Sequence, residues 1–345
     1  MAPPIHIVVC TNKNYLPGAF VTLGSLLDSN KAKDVFCLHV MDTGIGDDGR
    51  AALSRFIQRY PNAELRFHVI DATCFKDCPR DYGGGFSTYS RLFMGSLIDA
   101  PRCIYVDVDF LVLKDVAELW RQDMGGDILM AVRDYADTSL GTLDKDCPFM
   151  PPDDAKKYPY YCAGLLLCDL DAWRSFDTER KAFDLIRQAS QKLKAWDQTV
   201  LNYLLRDHMG ELDRSWAAYV NLDPFSENVN YHFFSRKKPW GQKFFILANR
   251  LWQAYYQLRV RPVYRYRKPA KVLFFNLCWD VRSFFFAFFF TEAYVRFRRR
   301  RGEQEEVVLA TRILLRSYRH YLLHGLDAQS RSVLDTLRRQ WRQIS

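Results

Sequence analysis

"RCIYVDVDFLVLKD", residues 102–115, decides how the chain is read. Its first half has the β-branched and aromatic residues of a buried strand, yet Asp107 and Asp109 interrupt the apolar run. Burying a bare carboxylate is prohibitively costly, so each must be paired, hydrogen-bonded or bound to a metal. Residues two apart on a strand share a face, which sets both carboxylates on one side with Val108 packed behind them. Two like charges so close repel unless a cation lies between them or one takes a proton. Carboxylate oxygens suit Mg²⁺, Ca²⁺ or Mn²⁺. A capping pair is the competing explanation, but Asp115 already stands where the helix "VAELW" (116–120) needs its cap.

Outward from this stretch, strand-like and helix-like runs alternate. Residues 5–10, 35–42, 64–71, 103–109 and 127–134 read as strands, and 16–29, 47–60 and 87–98 have apolar residues at helical spacing. That alternation predicts an α/β fold with a mostly parallel sheet covered on both faces and ligands at the carboxyl ends of its strands. Asp107 and Asp109 fall at such an end.

The 345 residues exceed a usual single domain. Charge divides them: residues 1–240 hold 28 Lys and Arg against 33 Asp and Glu, and residues 241–345 hold 21 against 7. A mildly acidic body thus precedes a basic tail that should seek an anionic surface. The nine cysteines lie mostly in apolar runs without the paired spacing of a zinc site, and read as reduced core residues. The start, "MAPPIHIVVC", has no basic segment and too short an apolar run for a signal peptide, so a reducing, cytoplasmic setting is expected.

Five segments in order carry a resemblance: "CTNKNYLPGAFVTLGSLL", "STYSRLFMGSLIDAPRCIYVDVDFLV", "YYCAGLLLCDLDAWR", "WDQTVLNYLL" and "NYHFFSRKKPW". Together they resemble the family 8 retaining glycosyltransferases, which include lipopolysaccharide galactosyl- and glucosyltransferases and glycogenin. The resemblance implies a GT-A type, single Rossmann-like nucleotide-sugar-binding domain over residues 1–240. It implies that Asp107, Asp109 and His232 hold a divalent ion, and a mixed O,O,N set favours Mn²⁺, with Mg²⁺ as the other candidate. The donor implied is UDP-glucose or UDP-galactose. The implied donor-binding positions are Thr11, Asn14, Tyr15, Arg91, Val108, Cys162, Ala163, Gly164, Ser235 and Lys238, together with the three ion ligands. Lys238 should reach the diphosphate, and Arg91 should bridge phosphate and sugar. Asp197 should meet the sugar hydroxyls, with Gln198 near the β-face of the anomeric carbon. Asp134 matches the acceptor-side aspartate. Because glutamine is a poor nucleophile, front-side attack within an ion pair is favoured over a covalent intermediate. Local explanations compete: a helix cap for Asp197, a salt bridge with Arg133 or another neighbour for Asp134, a plain turn for Asn14, a surface arginine for Arg91, a solvated basic turn for Lys238.

Departures from the family pattern are Cys162 and Asn12 where Asn and Asp are usual, Thr199 in place of a second carboxylate, and Ser235 in place of Gly. They put the donor sugar in doubt but leave the metal and diphosphate machinery intact. "YGGGFS" (82–87) lacks the Lys-Ser/Thr of a P-loop and reads as a connector or lid, while 148–160 reads as a surface loop shaping the acceptor mouth.

Residues 241–345 are expected to be helical, basic and aromatic-rich. "FFFAFFF" spans far fewer than the ~20 residues needed to cross a bilayer, whereas rings among arginines suit its interface. The expectation is a cytoplasmic enzyme, peripheral on the inner face of the plasma membrane, acting on an envelope glycolipid or polysaccharide such as lipopolysaccharide core. Helices packed on the body compete with membrane contact, and a metal-dependent nucleotide-sugar hydrolase, a nucleotidyltransferase and a non-catalytic lipid-binding protein compete with the transferase. No nucleic-acid-binding motif is present.

Overall fold

The computed structural model describes residues 3–32, 34–79, 86–134, 139–143, 147–189, 193, 195–220, 228–234, 238–241, 247–266, 286–301 and 328–344, with single positions at 308, 312, 315, 316, 319 and 323. Strands β1 (Ile5–Thr11), β2 (Phe36–Asp42), β3 (Ala63–Val69), β4 (Arg102–Val106), β5 (Phe110–Leu111), β6 (Leu129–Arg133), β7 (Tyr161–Asp169), β8 (Met209–Leu212), β9 (Ala218–Tyr219) and β10 (Tyr231–His232) form two sheets. Seven strands run in the order β3-β2-β1-β4-β7-β6-β8, and β5-β10-β9 make a small second sheet. In the large sheet β7 alone runs against its neighbours, so the sheet is mostly parallel, and helices pack on both of its faces.

β1 and β2 are nearly continuous runs of buried apolar side chains, as strands covered on both faces must be. Ile5, Ile7 and Val9 enter one core with Phe20, Leu23 and Leu26 of helix Leu16–Ser29, and Val8 and Cys10 enter the other with Tyr89 and Leu92. Period-two alternation thus assigns each residue its layer.

The structure departs from the sequence expectations in instructive places. The strand expected at 103–109 ends at Val106, where the Asp107 N–H donates to Gly164 O at 2.7 Å. Asp107 and Asp109 therefore occupy the turn into β5, and Val108 packs into the core behind them. The helix expected at 87–98 is a 3-10 turn over Ser87–Phe93 followed by one α-turn at Met94–Leu97. Asp115 does cap helix Val116–Trp120, accepting from Ala117 N at 3.0 Å. All eight described cysteines are free, but Cys74 is exposed and Cys78 only partly covered, so not every one is a core residue.

The described parts of the C-terminal region contribute directly to the main core. Leu251, Trp252, Tyr255 and Val260 pack there with Val333, Leu334, Leu337 and Trp341 of helix Ala328–Gln343. A buried ion pair joins this layer to the body: Arg259 lies 3.1 Å from Asp28, which also accepts from Tyr60 at 2.9 Å and Tyr255 at 2.6 Å. Among the described residues, no helix is long and apolar enough to cross a membrane. Ser235, residues 82–85 and residues 267–285 lie outside the described set.

Candidate active site

Sheet order puts β4 beside β7, and the β4 turn leads into β5, whose antiparallel partner is β10. Pairing sets His232 opposite Phe110, and the two rings stack at 4.4 Å. The His232 Nε2 atom then lies 3.4 Å from Asp109 Oδ1 and 3.9 Å from Asp107 Oδ2. Donor atoms of all three residues fall within 4.8 Å of one another.

These acids are buried unequally. Asp107 is partly exposed and accepts from Tyr105 OH at 2.5 Å and Arg91 Nη2 at 3.0 Å. Asp109 is 5% exposed; its Oδ2 accepts from Lys238 Nζ, while its buried Oδ1 has no hydrogen-bond donor. Burial favours the neutral acid, but Lys238 and His232 outweigh it and hold the carboxyl below the usual range. Burial likewise acts to lower the His232 pKa, and Asp109 and Cys162 reverse that, pushing it up to about 10. A buried carboxylate oxygen without a hydrogen-bond donor, facing an imidazole nitrogen that can give up its proton to an ion, fits a cation, and the O,O,N donor set suits a divalent transition ion.

Arg91, 4% exposed, is not a helix-surface residue. Besides Asp107 it reaches Asp197 at 2.9 Å, donates to Ala163 O and lies over the Tyr105 ring at 4.2 Å. One guanidinium thereby joins the 3-10 turn, β4, β7 and helix Trp196–Leu204. Asp197 is no cap for that helix: the capping position is Ala195, and the buried Asp197 carboxylate accepts from Thr88 OH. Burial raises its pKa, against the pull of Arg91.

Gln198 is held at both ends of its amide. Its Oε1 accepts from Ala163 N at 3.0 Å and its Nε2 donates to Asp134 Oδ2 at 3.2 Å. Asp134 is buried and also accepts from Tyr219 OH; Arg133 turns elsewhere, toward Glu211 at 4.0 Å. Burial raises the Asp134 pKa despite these donors. Cys162 is buried with its Sγ 3.7 Å from His232 Nδ1. Gly164 lies against the same ring. Thr199 hydrogen-bonds Tyr160 at 2.9 Å within the interior.

The nucleotide loop is more dispersed. Thr11 is fully buried at the end of β1, and exposed Asn14 closes a turn by donating its N–H to Asn12 Oδ1 at 2.9 Å. Tyr15 packs edge-on against Trp240 at 5.7 Å, linking this loop to the segment that carries Lys238. Tyr105, Tyr219 and Thr88, which the sequence reading missed, bond directly to Asp107, Asp134 and Asp197. Tyr105 could have been found, since it sits two residues before Asp107; Tyr219 carries no local signal.

Residues 6–243 match the model of a family described as glycosyl transferase family 8. General stress protein A of Bacillus subtilis is 28% identical over 262 residues, covering 69% of this chain and 87% of that protein. A lipopolysaccharide 1,2-glucosyltransferase of Escherichia coli is 23% identical over 229 residues, covering 65% and 66%. Glycosyltransferase GlyF of Streptococcus pneumoniae is longer, and the chain spans 61% of it. Among solved structures, the galactosyltransferase LgtC in complex with donor and acceptor sugar analogues has a TM-score of 0.63 at 21% identity, covering 77% of this chain and 98% of that one.

Proposed function

Because the chain belongs to glycosyl transferase family 8, we propose that it is a retaining, Mn²⁺-dependent hexosyltransferase that moves glucose or galactose from a UDP-sugar to an envelope glycolipid or polysaccharide. Lipopolysaccharide core is the first acceptor to try, in view of the glucosyltransferase relative. The observation that carries the reading is the meeting of Asp107, Asp109 and His232 from separate segments, with Asp109 Oδ1 left without a donor. These three residues would hold the ion, which when bound supplies Lewis-acid stabilisation to the departing diphosphate.

The chain's own groups supply the rest. Lys238, tethered to Asp109, presents a compact ammonium to the diphosphate oxygens. Arg91 keeps Asp107 and Asp197 neutralised and in place, so that Asp197 can receive the sugar hydroxyls. Gln198, clamped by the Ala163 N–H and Asp134, is positioned rather than reactive, which supports front-side transfer. Asp134, a buried acceptor of hydrogen bonds, orients the incoming hydroxyl. Thr199 is an alcohol and not a second carboxylate, and its hydroxyl is hydrogen-bonded to Tyr160 at 2.9 Å.

For the membrane side of the proposal, helix Thr291–Arg300 ends on Arg298, Arg299 and Arg300, with exposed Phe289, Phe290 and Phe297 alongside. Rings and guanidinium groups together suit an anionic lipid interface, consistent with a peripheral enzyme on the cytoplasmic face.

The decisive experiment is to incubate the protein with a panel of UDP-sugars, Mn²⁺ and candidate acceptors, and to determine product anomericity by NMR. An α-linked product with UDP release supports the proposal. Release of free sugar alone would indicate a hydrolase, pyrophosphate a nucleotidyltransferase, and no turnover of any donor a non-catalytic protein.

A further inference from the structure

On the sheet face turned away from helix Leu16–Ser29, the amino-terminal parts of β1 and β2 carry a polar cluster that sugar transfer does not use. Ile5, Ile7, Phe36, Leu38 and Val40 point into the core beneath that helix, so the intervening His6, Cys37 and His39 project to the other face. Parallel register pairs His6 with Cys37, and His39 lies one pleat further along. His6 Nδ1 is 3.0 Å from His39 Nε2, and His39 Nδ1 is 2.9 Å from His68 Nε2 of β3. One donor atom from each of His6, Cys37 and His39 lies within 4.8 Å of the others. Cys37 and His39 are each 2% exposed while His6 is half-buried, so the cluster is shielded yet reachable from solvent.

We propose that His6, Cys37 and His39 form a second metal site in this chain, one that takes Zn²⁺. A thiolate with two imidazoles prefers a borderline-soft ion, unlike the oxygen-rich set at Asp107, so the two sites differ in the ions they select. Zn–N bonds of about 2.0–2.1 Å in a tetrahedron set two ligating nitrogens about 3.3 Å apart. The 3.0 Å between the His6 and His39 nitrogens needs to open by only a few tenths of an ångström. Nitrogen to sulfur in such a site is about 3.6 Å, so Cys37 Sγ moves by roughly 1 Å at most.

On binding, the proton between the two imidazoles shifts to a ring nitrogen turned away from the ion, so that both ligating nitrogens offer lone pairs, and Cys37 releases its thiol proton to solvent. His39 keeps its other nitrogen for His68, the kind of outer partner that fixes a ligand ring. Arg66 and Glu64 flank the cluster as a 2.8 Å ion pair and add no net charge. A bound ion would stitch β1 to β2 at the end of the sheet remote from Asp107.

The test uses tag-free, chelator-treated full-length protein titrated with Co²⁺ and then Zn²⁺. The expected result is that one equivalent of the Co²⁺ taken up, apart from any held at Asp107, gives a near-ultraviolet thiolate-to-cobalt charge-transfer band that Zn²⁺ erases. The band should persist in the Asp107→Asn/Asp109→Asn protein and vanish in Cys37→Ser, and His6→Ala, at a half-exposed position, should weaken binding by at least about 10-fold. No band in the wild-type chain overturns the proposal whatever the variants do. So does a band that survives Cys37→Ser, or one lost with the two aspartates.

Discussion

A Cβ placed on Gly164 would sit 2.5 Å from His232 Cε1 and 3.0 Å from Nε2, so a glycine here is what lets β7 lie against the imidazole. Gly164→Ala should displace His232 and weaken Mn²⁺ binding by about 10–100-fold, as loss of support around a ligand does. Isothermal titration with Mn²⁺ checks this, and unchanged affinity would show that His232 is not a ligand. Asp109→Asn should abolish donor turnover while the fold persists; full activity in that protein would defeat the metal assignment. Tyr219→Phe tests Asp134. The Asp134 pKa is already raised by burial, and Tyr219 is one of the donors that restrain it. Activity that needs the carboxylate is present above its pKa and fades as pH falls through it. Removing the donor raises that pKa further, so the acidic limb of the pH–rate profile should move to higher pH. At this scale charge in an apolar strand singled out Asp107 and Asp109, whereas His232 was pointed to only by the resemblance of its segment to the family's, and the structure brings the three together. Tyr219 was not legible, because its partner lies 85 positions away.

Helix Leu16–Ser29 begins and ends where its apolar spacing predicts, and its long-range partners agree with that local preference: Thr22 donates to Phe110 O at 2.9 Å from within it. The segment 87–98 does not form one helix, since its hydroxyls and guanidinium are drawn to distant partners: Ser87 to Asn12, Thr88 to Asp197, and Arg91 to Ala163 O. The β7 run "YCAGLLLCD" is nearly all apolar and buried, so periodicity says nothing of its direction. Its antiparallel course delivers Gly164 to the Asp107 turn. The element joint most open to test is Asp28–Arg259, with side-chain exposures of 2% and 5%. Arg259→Met leaves a buried carboxylate without its cation, and should cost about 3–5 kcal/mol in urea unfolding. A loss below about 1 kcal/mol would show that the two tyrosines suffice to satisfy Asp28.

Across the whole molecule, the C-terminal region divides by chemistry. Helix Ala328–Gln343 buries Val333, Leu334, Leu337 and Trp341 in the main core, and Trp341 meets Tyr255 edge-on at 5.1 Å. Truncation before residue 328 should therefore lower the melting temperature of the body, and an unchanged value would make this helix an accessory. The stretch 286–301, by contrast, keeps Phe289, Phe290 and Phe297 exposed. Joint replacement of Phe289, Phe290 and Phe297 by Ser should reduce co-sedimentation with phosphatidylglycerol vesicles while donor turnover on a soluble acceptor persists. Equal co-sedimentation would remove the lipid-facing role.

Strand–helix alternation, the acids of 102–115 and five ordered segments were enough to state the fold class and the family, because they depend on residue type at short range. The strand order, the reversed β7, the burial of helix Ala328–Gln343 and the partners that orient Gln198 and Arg91 came only with the tertiary structure. Those features depend on which surfaces meet across tens to hundreds of residues, and pairing of that kind leaves no local period in the chain.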